Sequence, residues 1–466
     1  MMRYISTRAQ STPKTFDEVI LTGLAPDGGL YVPLEIPHFS LREISSWHSY
    51  SYQELAQQII TPFVGDSIPS GDLALLINDA YSRFRNESVA PLVQTGPNEW
   101  VLELWHGPTL AFKDFALQFL GNLLDYILEK RKQKVVILGA TSGDTGSAAI
   151  EGCRSCSNVD MFILHPHQRI SEVQRRQMTT VNAINVNNIA LLGSFDDCQN
   201  LVKACFSDQS FLPQSRQLVA VNSINWARIV AQVVYYFWAA LRLGGGTKQI
   251  SFSVPTGNFG DIYAGYIAHK MGLPINQLII ATNSNDILHR CVSANDHSLK
   301  PLKQTLAPSM DIMISSNFER LLFDLYDRDG MAIARLMSDA KNGKMSLSNS
   351  VMVELRKLFS SYRCDDKNLL SVIHSVYQES GYLIDPHTAI GLDAARKCRV
   401  YVDTPMVALA TAHPAKFPEA ITRAGLDDNP KLPEHMSDLF ESKERYTVLG
   451  NDRTDIENFI AQAIKR

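Results

Sequence analysis

The alternation of short apolar runs with helical stretches is the feature that most limits how this chain can fold. Each run is rich in Val, Ile, Leu and Phe and has the length of a buried strand, and the stretches between them have helical spacing. Strands that alternate with helices form parallel sheets covered by helices on both faces. The sequence therefore predicts an α/β fold. The predicted strands are residues 100–104, 135–139, 160–164, 183–186, 218–221, 250–254, 278–282, 399–402 and 406–410.

Composition and charge exclude several classes of protein. The 466 residues include 44 Lys and Arg against 48 Asp and Glu, a formal net charge of −4, so nucleic acid is not an expected partner. Seven cysteines in a chain of this length are typical of reduced thiols and predict a cytoplasmic location. The longest apolar stretch, residues 229–243, contains Gln232 and Arg242, and the first residues lack a signal-peptide core. No contact with a membrane is expected.

The length of the chain predicts about three domain-sized units. Residues 15–99 are rich in turn formers and differ from the alternating pattern that follows. The three glycines at 244–246 would cost too much backbone entropy inside a helix or strand, so we expect a boundary there. The predicted units are an N-terminal domain at residues 1–94, a smaller lobe at 135–245, and a larger lobe formed by 95–134 and 246–466.

A loop of small and polar residues follows the predicted strand at 135–139. Its sequence is Ala140-Thr141-Ser142-Gly143-Asp144-Thr145-Gly146, and a helix of small residues comes next. Such a loop exposes backbone N–H groups at the positive end of the helix dipole, which suits a carboxylate or a phosphate. A tight connection capped by Thr or Ser has the same pattern, so this loop alone leaves both interpretations open.

A second loop repeats the arrangement of strand, glycine-rich turn and helix. It contains Thr256-Gly257-Asn258-Phe259-Gly260-Asp261. Neither loop matches the Walker pattern G-x-x-x-x-G-K-[ST] or the dinucleotide pattern G-x-G-x-x-G, which disfavours ATP and dinucleotides. Two loops of this type favour anion binding over coincidence.

Lys113 is the candidate catalytic residue. If a helix begins near Pro108, Lys113 shares one face with Leu117, Leu120 and Leu124. Burial on an apolar face lowers the pKa of a lysine and yields the neutral amine that forms a Schiff base. A lysine that extends to solvent, or one paired with Asp114, is the ordinary alternative. A buried amine between two anion loops favours pyridoxal phosphate chemistry.

These segments together resemble the threonine synthase family, in the longer form found in many bacteria and fungi. The similar segments are residues 104–119, 140–146, 256–261 and 411–417, and the likeness extends to 24–31 near the start. The resemblance implies a pyridoxal-phosphate enzyme of fold type II. It also implies two parallel-sheet αβα lobes like those of the tryptophan synthase β subunit, with an extra N-terminal domain.

The resemblance implies roles toward the cofactor, pyridoxal 5'-phosphate, for the matching residues. Lys113 would hold the cofactor through its amine and then move protons. Asp144 would lie near the 3-oxygen of the cofactor, and the neutral hydroxyl of Thr411 would hydrogen-bond the pyridine nitrogen. Asp261 would be a positioning residue at the start of the following helix. Backbone N–H groups would bind the cofactor phosphate at Gly257, Asn258, Phe259 and Gly260.

The resemblance also implies a substrate site. The substrate carboxylate would bind to the first loop at Thr141, Ser142, Gly143 and Thr145. The candidates for the substrate phosphate are Arg169, Asn222, Asn225 and Arg228, because guanidinium groups bind phosphate in a bidentate manner. Each of the two arginines could equally form a structural ion pair. Two departures from the family pattern are Thr256 in place of Ser and His167-Gln168 where a glycine is usual.

The expected reaction converts O-phospho-L-homoserine and water to L-threonine and phosphate. The alternative is a phospholyase that releases 2-oxobutanoate, ammonia and phosphate from the same substrate. A catalytically silent binding module would have lost the lysine or a loop, and neither is lost. No metal is expected, since Cys153 and Cys156 lack a second pair at zinc-site spacing. We expect a monomer or a homodimer.

Overall fold

The computed structural model describes residues 2–8, 11–427 and 430–464. Within them the α/β class expected from the alternating pattern is confirmed. The strands are β1 (Tyr4–Ser6), β2 (Tyr31–Pro33), β3 (Leu92–Gly96), β4 (Glu99–Glu103), β5 (Val135–Ala140), β6 (Val159–Pro166), β7 (Val186–Leu191), β8 (Leu218–Val219), β9 (Ile250–Pro255), β10 (Ile275–Thr282), β11 (Phe359–Arg363), β12 (Met406–Ala410) and β13 (Thr447–Leu449).

The helices surround the sheets and also form most of the N-terminal unit. They are α1 (Phe16–Thr22), α2 (Leu41–Ser46), α3 (Tyr52–Val64), α4 (Ser70–Ser82), α5 (Lys113–Arg131), α6 (Asp144–Cys153), α7 (Glu172–Thr179), α8 (Phe195–Ser207), α9 (Trp226–Gly244), α10 (Gly260–Lys270), α11 (Ile287–Ala294), α12 (Phe318–Leu325), α13 (Gly330–Lys341), α14 (Asn349–Leu358), α15 (Asp366–Ser380), α16 (Pro386–Cys398), α17 (Pro418–Arg423) and α18 (Arg453–Ala463). None of the helices in the described ranges has the length and apolar character needed to cross a membrane.

The larger sheet has the strand order β11-β10-β9-β12-β4-β3. All neighbouring pairs are parallel except β3 and β4, which are antiparallel. Residues of β9 and β12 are buried along the whole of each strand because helices such as α10 and α16 cover the two faces. Coverage on both faces explains why these strands are continuous apolar runs without alternation.

The smaller sheet has the order β13-β7-β6-β5-β8 and is parallel throughout. Strand β6 divides its side chains between two cores: Met161 and Ile163 join the large core that contains α5 and α6, whereas Phe162 and Leu164 pack with α8 and α18. Successive side chains of a strand point to opposite faces of the sheet. One face of β6 therefore packs against the rest of the molecule, and the other face packs within the smaller lobe.

The ends of the predicted lobes need correction. Strand β13 pairs with β7, and Ile456 and Ile460 of α18 pack in the smaller lobe's core, so the last residues of the predicted larger lobe belong to the smaller one. Helix α9, predicted within residues 135–245, packs against α10 and α5 of the larger lobe. Gly245 is a left-handed cap that ends α9 and not a linker between lobes.

One strand prediction was wrong, another was placed too early in the sequence, and strand β3 was not predicted. The predicted strand at 183–186 lies before β7, whose buried residues Ile189, Ala190 and Leu191 come later in the sequence. Residues 399–402 are an exposed turn, although they include Val400, Tyr401 and Val402. Strand β3, which begins at Leu92 inside the predicted N-terminal domain, joins the larger sheet.

Helices α5 and α6 approach each other closely through two glycines. A Cβ at Gly121 would lie 2.0 Å from the carbonyl oxygen of Gly152, and one at Gly152 would lie 2.3 Å from that of Leu117. Both helices start at a residue of the candidate site, Lys113 and Asp144, and each of the two glycines follows eight residues later. The glycine contact therefore sets the spacing between the two site residues.

Replacing Gly121 by Ala is expected to destabilise the protein, because the new methyl group meets backbone that cannot yield. We expect a loss of about 1–3 kcal/mol in the free energy of unfolding, measured by denaturant titration. Gly71→Ala is the matched control: it lies in helix α4, where no atom is within 4 Å of the place that the new methyl group would take. The control should gain roughly 0.5–1 kcal/mol, and equal effects of the two variants would contradict the close approach.

Candidate active site

The candidate site lies at the carboxyl ends of parallel strands from both sheets. In the larger sheet, the neighbouring strands β9, β12 and β4 lead into residues 256–259, Thr411 and the segment 104–112 before Lys113. In the smaller sheet, β5 leads into residues 141–143. This edge is where parallel α/β sheets bind their ligands, so the topology brings together segments that are far apart in sequence.

Lys113 is the first residue of α5, so the helix begins five residues later than the sequence predicted. The preceding turn is held by Asp114, which accepts hydrogen bonds from the backbone N–H and the hydroxyl of Thr109, both at 2.8 Å. The backbone N–H of Phe112 donates to the carbonyl of Thr411 at 2.9 Å. This bond places Lys113, whose side chain is 12% exposed, beside the end of β12.

The carboxylate of Asp144 lies at the centre of the site. Its Oδ2 accepts from Lys113 Nζ at 3.3 Å and from the Ser309 hydroxyl at 3.1 Å. Its Oδ1 lies 2.7 Å from Lys416 Nζ and accepts from the Gln174 amide at 2.8 Å. Gln174 belongs to the smaller lobe, whereas the other three donors come from the larger lobe, so this buried carboxylate joins the two lobes.

Burial and neighbouring charges shift the pKa of both Lys113 and Asp144. Burial lowers the pKa of the Lys113 amine, the charges of Lys416 and Arg228 lower it further, and Asp144 opposes them. Burial alone would raise the pKa of Asp144, but the ammonium groups of Lys416 and Lys113 hold it well below its usual range. The site therefore combines an ionised carboxylate with an amine that loses its proton more easily than an exposed lysine does.

The second loop presents free backbone donors. Two of its carbonyl groups are held by side chains. The Gly257 carbonyl accepts from the Ser315 hydroxyl at 2.8 Å, and the Asn258 carbonyl accepts from the Asn317 side-chain amide at 2.9 Å. No acceptor within the described residues receives the backbone N–H groups of residues 257–260. Phe259 is buried in the left-handed conformation, with φ of 64°. Free amides at the start of α10 fit a phosphate group.

Some backbone N–H groups of the first loop are already bonded to a side chain of the same loop. Thr141 Oγ1 accepts from the backbone N–H groups of Gly143 at 3.0 Å and Gly146 at 2.9 Å, so these two donors do not face a ligand. Gly143 has φ of 143°, and a Cβ there would lie 2.5 Å from Gln174. Ser142 is exposed and Thr145 is half-buried. The loop has fewer free donors than its sequence suggests.

The four candidates for a substrate phosphate have different surroundings. Arg228 is 3% exposed, its Nη1 donates to the Val221 carbonyl at 3.2 Å, and its Nε has no partner in the described part of the chain. Burial lowers its pKa to about 10. No carboxylate of the described residues forms an ion pair with Arg228. A buried cation without a counter-ion is suited to bind an anion.

The other three candidates are not placed in the buried cluster. Asn225 is fully buried, but its side chain donates to the Ile20 carbonyl at 2.9 Å and accepts from the Ala227 backbone N–H at 3.1 Å, so it caps α9. Asn222 and Arg169 are exposed. The charge of Arg169 acts on Asp197 at the start of α8 and lowers the pKa of that carboxyl, after hydrogen bonds from Ser194.

Thr411 and Asp261 are both buried, and their roles toward the cofactor stay predictions. Thr411 is buried at the end of β12, next to the segment before Lys113. Asp261 accepts from the hydroxyl groups of Tyr235 at 2.5 Å and Tyr236 at 2.9 Å, and burial raises its pKa to about 6. It fixes the first turn of α10 and therefore the loop that ends there.

Sequence reasoning missed Lys416, Ser309 and Gln174. Lys416 lies in the 411–417 segment that carries the family resemblance, and this position was the available signal. Ser309 lies in the 3-10 helix Pro308–Met310. The backbone N–H of Ser309 donates to His387 Nε2 at 3.3 Å. Nothing local in the sequence indicates that this turn reaches Asp144.

The fold and this site define a class of enzyme. Two sheets that meet at a buried lysine, with an open phosphate loop at the start of α10, are the features of a pyridoxal-phosphate-dependent enzyme of fold type II. The residues present fit the cofactor, since the free amides of 257–260 suit its phosphate and Lys113 suits its aldehyde.

Comparison with known proteins gives the family. Three family models match: threonine synthase N terminus at residues 3–81, pyridoxal-phosphate dependent enzyme at 87–411, and threonine synthase C-terminal at 388–460. A threonine synthase of Pseudomonas aeruginosa is 59% identical over 99% of this chain and 98% of its own. The structure of the PLP-bound threonine synthase of Brucella melitensis has a TM-score of 0.97, with 49% identity and full coverage of both chains. The chain belongs to the threonine synthase family.

Asn317 is expected to control how tightly the phosphate loop binds the cofactor. Its side-chain amide donates to the carbonyls of Asn258 and Ser223, so Asn317→Ala leaves the loop without this support. We expect about a tenfold weaker affinity for pyridoxal phosphate, measured by absorbance titration of the cofactor-free protein. Asn342→Ala, on the exposed end of α13, is the control and should bind normally. Equal affinity of both variants would remove Asn317 from this role.

Proposed function

We propose that this protein converts O-phospho-L-homoserine and water to L-threonine and phosphate, with Lys113 as the group that moves protons. The observation that supports the proposal is the position of the Lys113 amine, which lies 3.3 Å from a buried carboxylate and beside two loops suited to anions. The family and the cofactor class established above agree with this reaction.

The chain would hold the cofactor at three places. Lys113 would bond to its aldehyde carbon, residues 257–260 would donate to its phosphate, and the Thr411 hydroxyl would lie at its ring nitrogen. When bound, pyridoxal phosphate supplies an electron sink that makes protons on neighbouring substrate carbons acidic. Asp144, next to Lys113, would orient the amine and the oxygen substituent of the ring.

Lys113 would act as the base after it releases the cofactor. A base works best when its pKa lies near the pH of the reaction, and burial together with two nearby cations lowers the pKa of this amine toward that range. The small exposed fraction of the side chain excludes water from the amine. This exclusion favours proton transfer between Lys113 and substrate carbon over exchange with solvent.

Arg228 is the residue we propose for the substrate phosphate. The positive charge of Arg228 lowers the pKa of Lys113. Ser223, in the same segment as Arg228, lies near Gly260 at the phosphate loop. A second anion bound there would lie close to the amine. The segment 141–145 would hold the substrate carboxylate at the opposite side of Asp144, through the donors that Thr141 leaves free.

The proposed reaction is tested by product analysis on O-phospho-L-homoserine. We expect the purified protein to release phosphate and threonine in equal amounts, with amino-acid chromatography and a phosphate assay as the measurements. Lys113→Ala should lose the visible absorption of the covalently bound cofactor and lose turnover. Release of 2-oxobutanoate and ammonia in place of threonine would instead establish the phospholyase reaction.

Arg228 and Arg169 are expected to differ in their effect on substrate binding. Arg228→Gln removes a buried cation and should raise KM for O-phospho-L-homoserine by about tenfold to hundredfold. Arg169→Gln changes an exposed side chain and should alter KM by less than about threefold. The measurement is steady-state phosphate release for both variants and the parent. The reverse order of effects would transfer the phosphate site to Arg169.

The assembly and the location are also proposals. We propose a monomer or a homodimer, because a single chain brings the four partners of Asp144 together. All seven cysteines are free thiols in the structure, which supports the cytoplasmic location predicted from their number.

A further inference from the structure

Lys416 is a buried cation that the proposed reaction does not use. Its side chain is 0% exposed, and its Nζ lies 2.7 Å from Asp144 Oδ1 and donates to the Thr109 carbonyl at 2.9 Å. Lys113 approaches the other oxygen of the same carboxylate at 3.3 Å. One carboxylate therefore serves two lysines, and the shorter contact belongs to the lysine that does not react.

We propose that Lys416 is a positioning residue for Lys113: it acts as the permanent counter-ion of Asp144 and so prevents this carboxylate from holding Lys113 as a fixed ammonium ion. The proposal rests on the function proposed above for Lys113. It assigns to Lys416 no contact with the substrate.

The physical reason is competition for one negative charge in a site without water. If Asp144 had only Lys113 as partner, the buried pair would be stable as carboxylate and ammonium, and the amine would keep its proton. A second ammonium group on the same carboxylate offsets that charge and disfavours another positive charge nearby. Lys113 can then lose its proton while Asp144 stays ionised.

The neighbours of Lys416 suit this fixed role. The Thr109 carbonyl takes one of its three hydrogens, and Thr109 is itself tied to Asp114, whose pKa burial raises to about 7 while Lys416 lowers it. Burial lowers the pKa of His413 to about 4, and His106 and Lys416 contribute in the same direction. The neighbouring imidazole is therefore neutral above that pH and leaves Lys416 to act on Asp144.

The groups that face Lys113 can be named from each side. Asp144 lies 3.3 Å from Lys113 Nζ, Lys416 lies 2.7 Å from the same carboxylate, and the charge of Arg228 acts on Lys113 from α9. Gln174 and Ser309 complete the shell of Asp144 without a charge. Removal of Lys416 takes away a positive charge, and removal of Asp144 takes away a negative one. The two changes must therefore move the pKa of the Lys113 nitrogen in opposite directions.

The test is a pH titration of the holoenzyme, followed by the visible absorption of the cofactor bound to Lys113. Lys416→Met should move the midpoint upward by about one pH unit or more, because the positive neighbour is lost. Asp144→Asn should move it downward by a similar amount, because the negative neighbour is lost. Lys416→Arg keeps the charge and should restore the parent midpoint to within about 0.3 unit. Lys367→Met, an exposed position on α15, is the control.

The same variants are then compared by the pH dependence of kcat/KM, whose acid limb should move with the absorption midpoint. A merely structural role would lower the thermal stability of both variants without opposite shifts. An unchanged midpoint in Lys416→Met, or shifts of the same sign in the two variants, overturns the proposal. Failure of the parent protein to form threonine would overturn the proposed function instead, whatever the titrations give.

Discussion

At the candidate site, a buried carboxylate joins the two lobes of this protein. Asp144 begins helix α6 in the smaller lobe, and three of its four side-chain donors, Lys113, Ser309 and Lys416, come from the larger lobe. An ionised group in a dry cleft is costly unless it is fully paired, so separation of the lobes would leave each of these groups without its partner. The Asp144 cluster therefore exists only while the two lobes keep this arrangement.

Helix packing away from the site fixes the distance between Lys113 and Asp144. The glycine contact between α5 and α6 allows backbone to meet backbone, which leaves little freedom in how the helices slide past each other. Since Lys113 and Asp144 are the first residues of these helices, their separation follows from that contact. The turn around Asp114 then orients Lys113 from the other side, through hydrogen bonds to Thr109.

The sequence predicted the fold class and the central lysine because both depend on local patterns. Apolar runs with helical spacers predict parallel sheets, and a lysine in line with leucines predicts burial. The pattern failed where a tertiary contact decides. Strand β13 lies far along the chain from its partner β7, and the Asn225 amide is engaged by the distant Ile20 carbonyl. Ser309 shows the same limit, because its position depends on His387, seventy-eight residues away.

The placement of β13 has a consequence for biosynthesis. The strand that completes the smaller sheet, together with the helix that covers one of its faces, is made after all the other strands of that sheet. Until then β7 is an open edge and the apolar residues of α8 lack their cover, a state prone to pairing with other nascent chains. This lobe therefore completes its core only after residues 447–463 have been made, long after the strands that they cover.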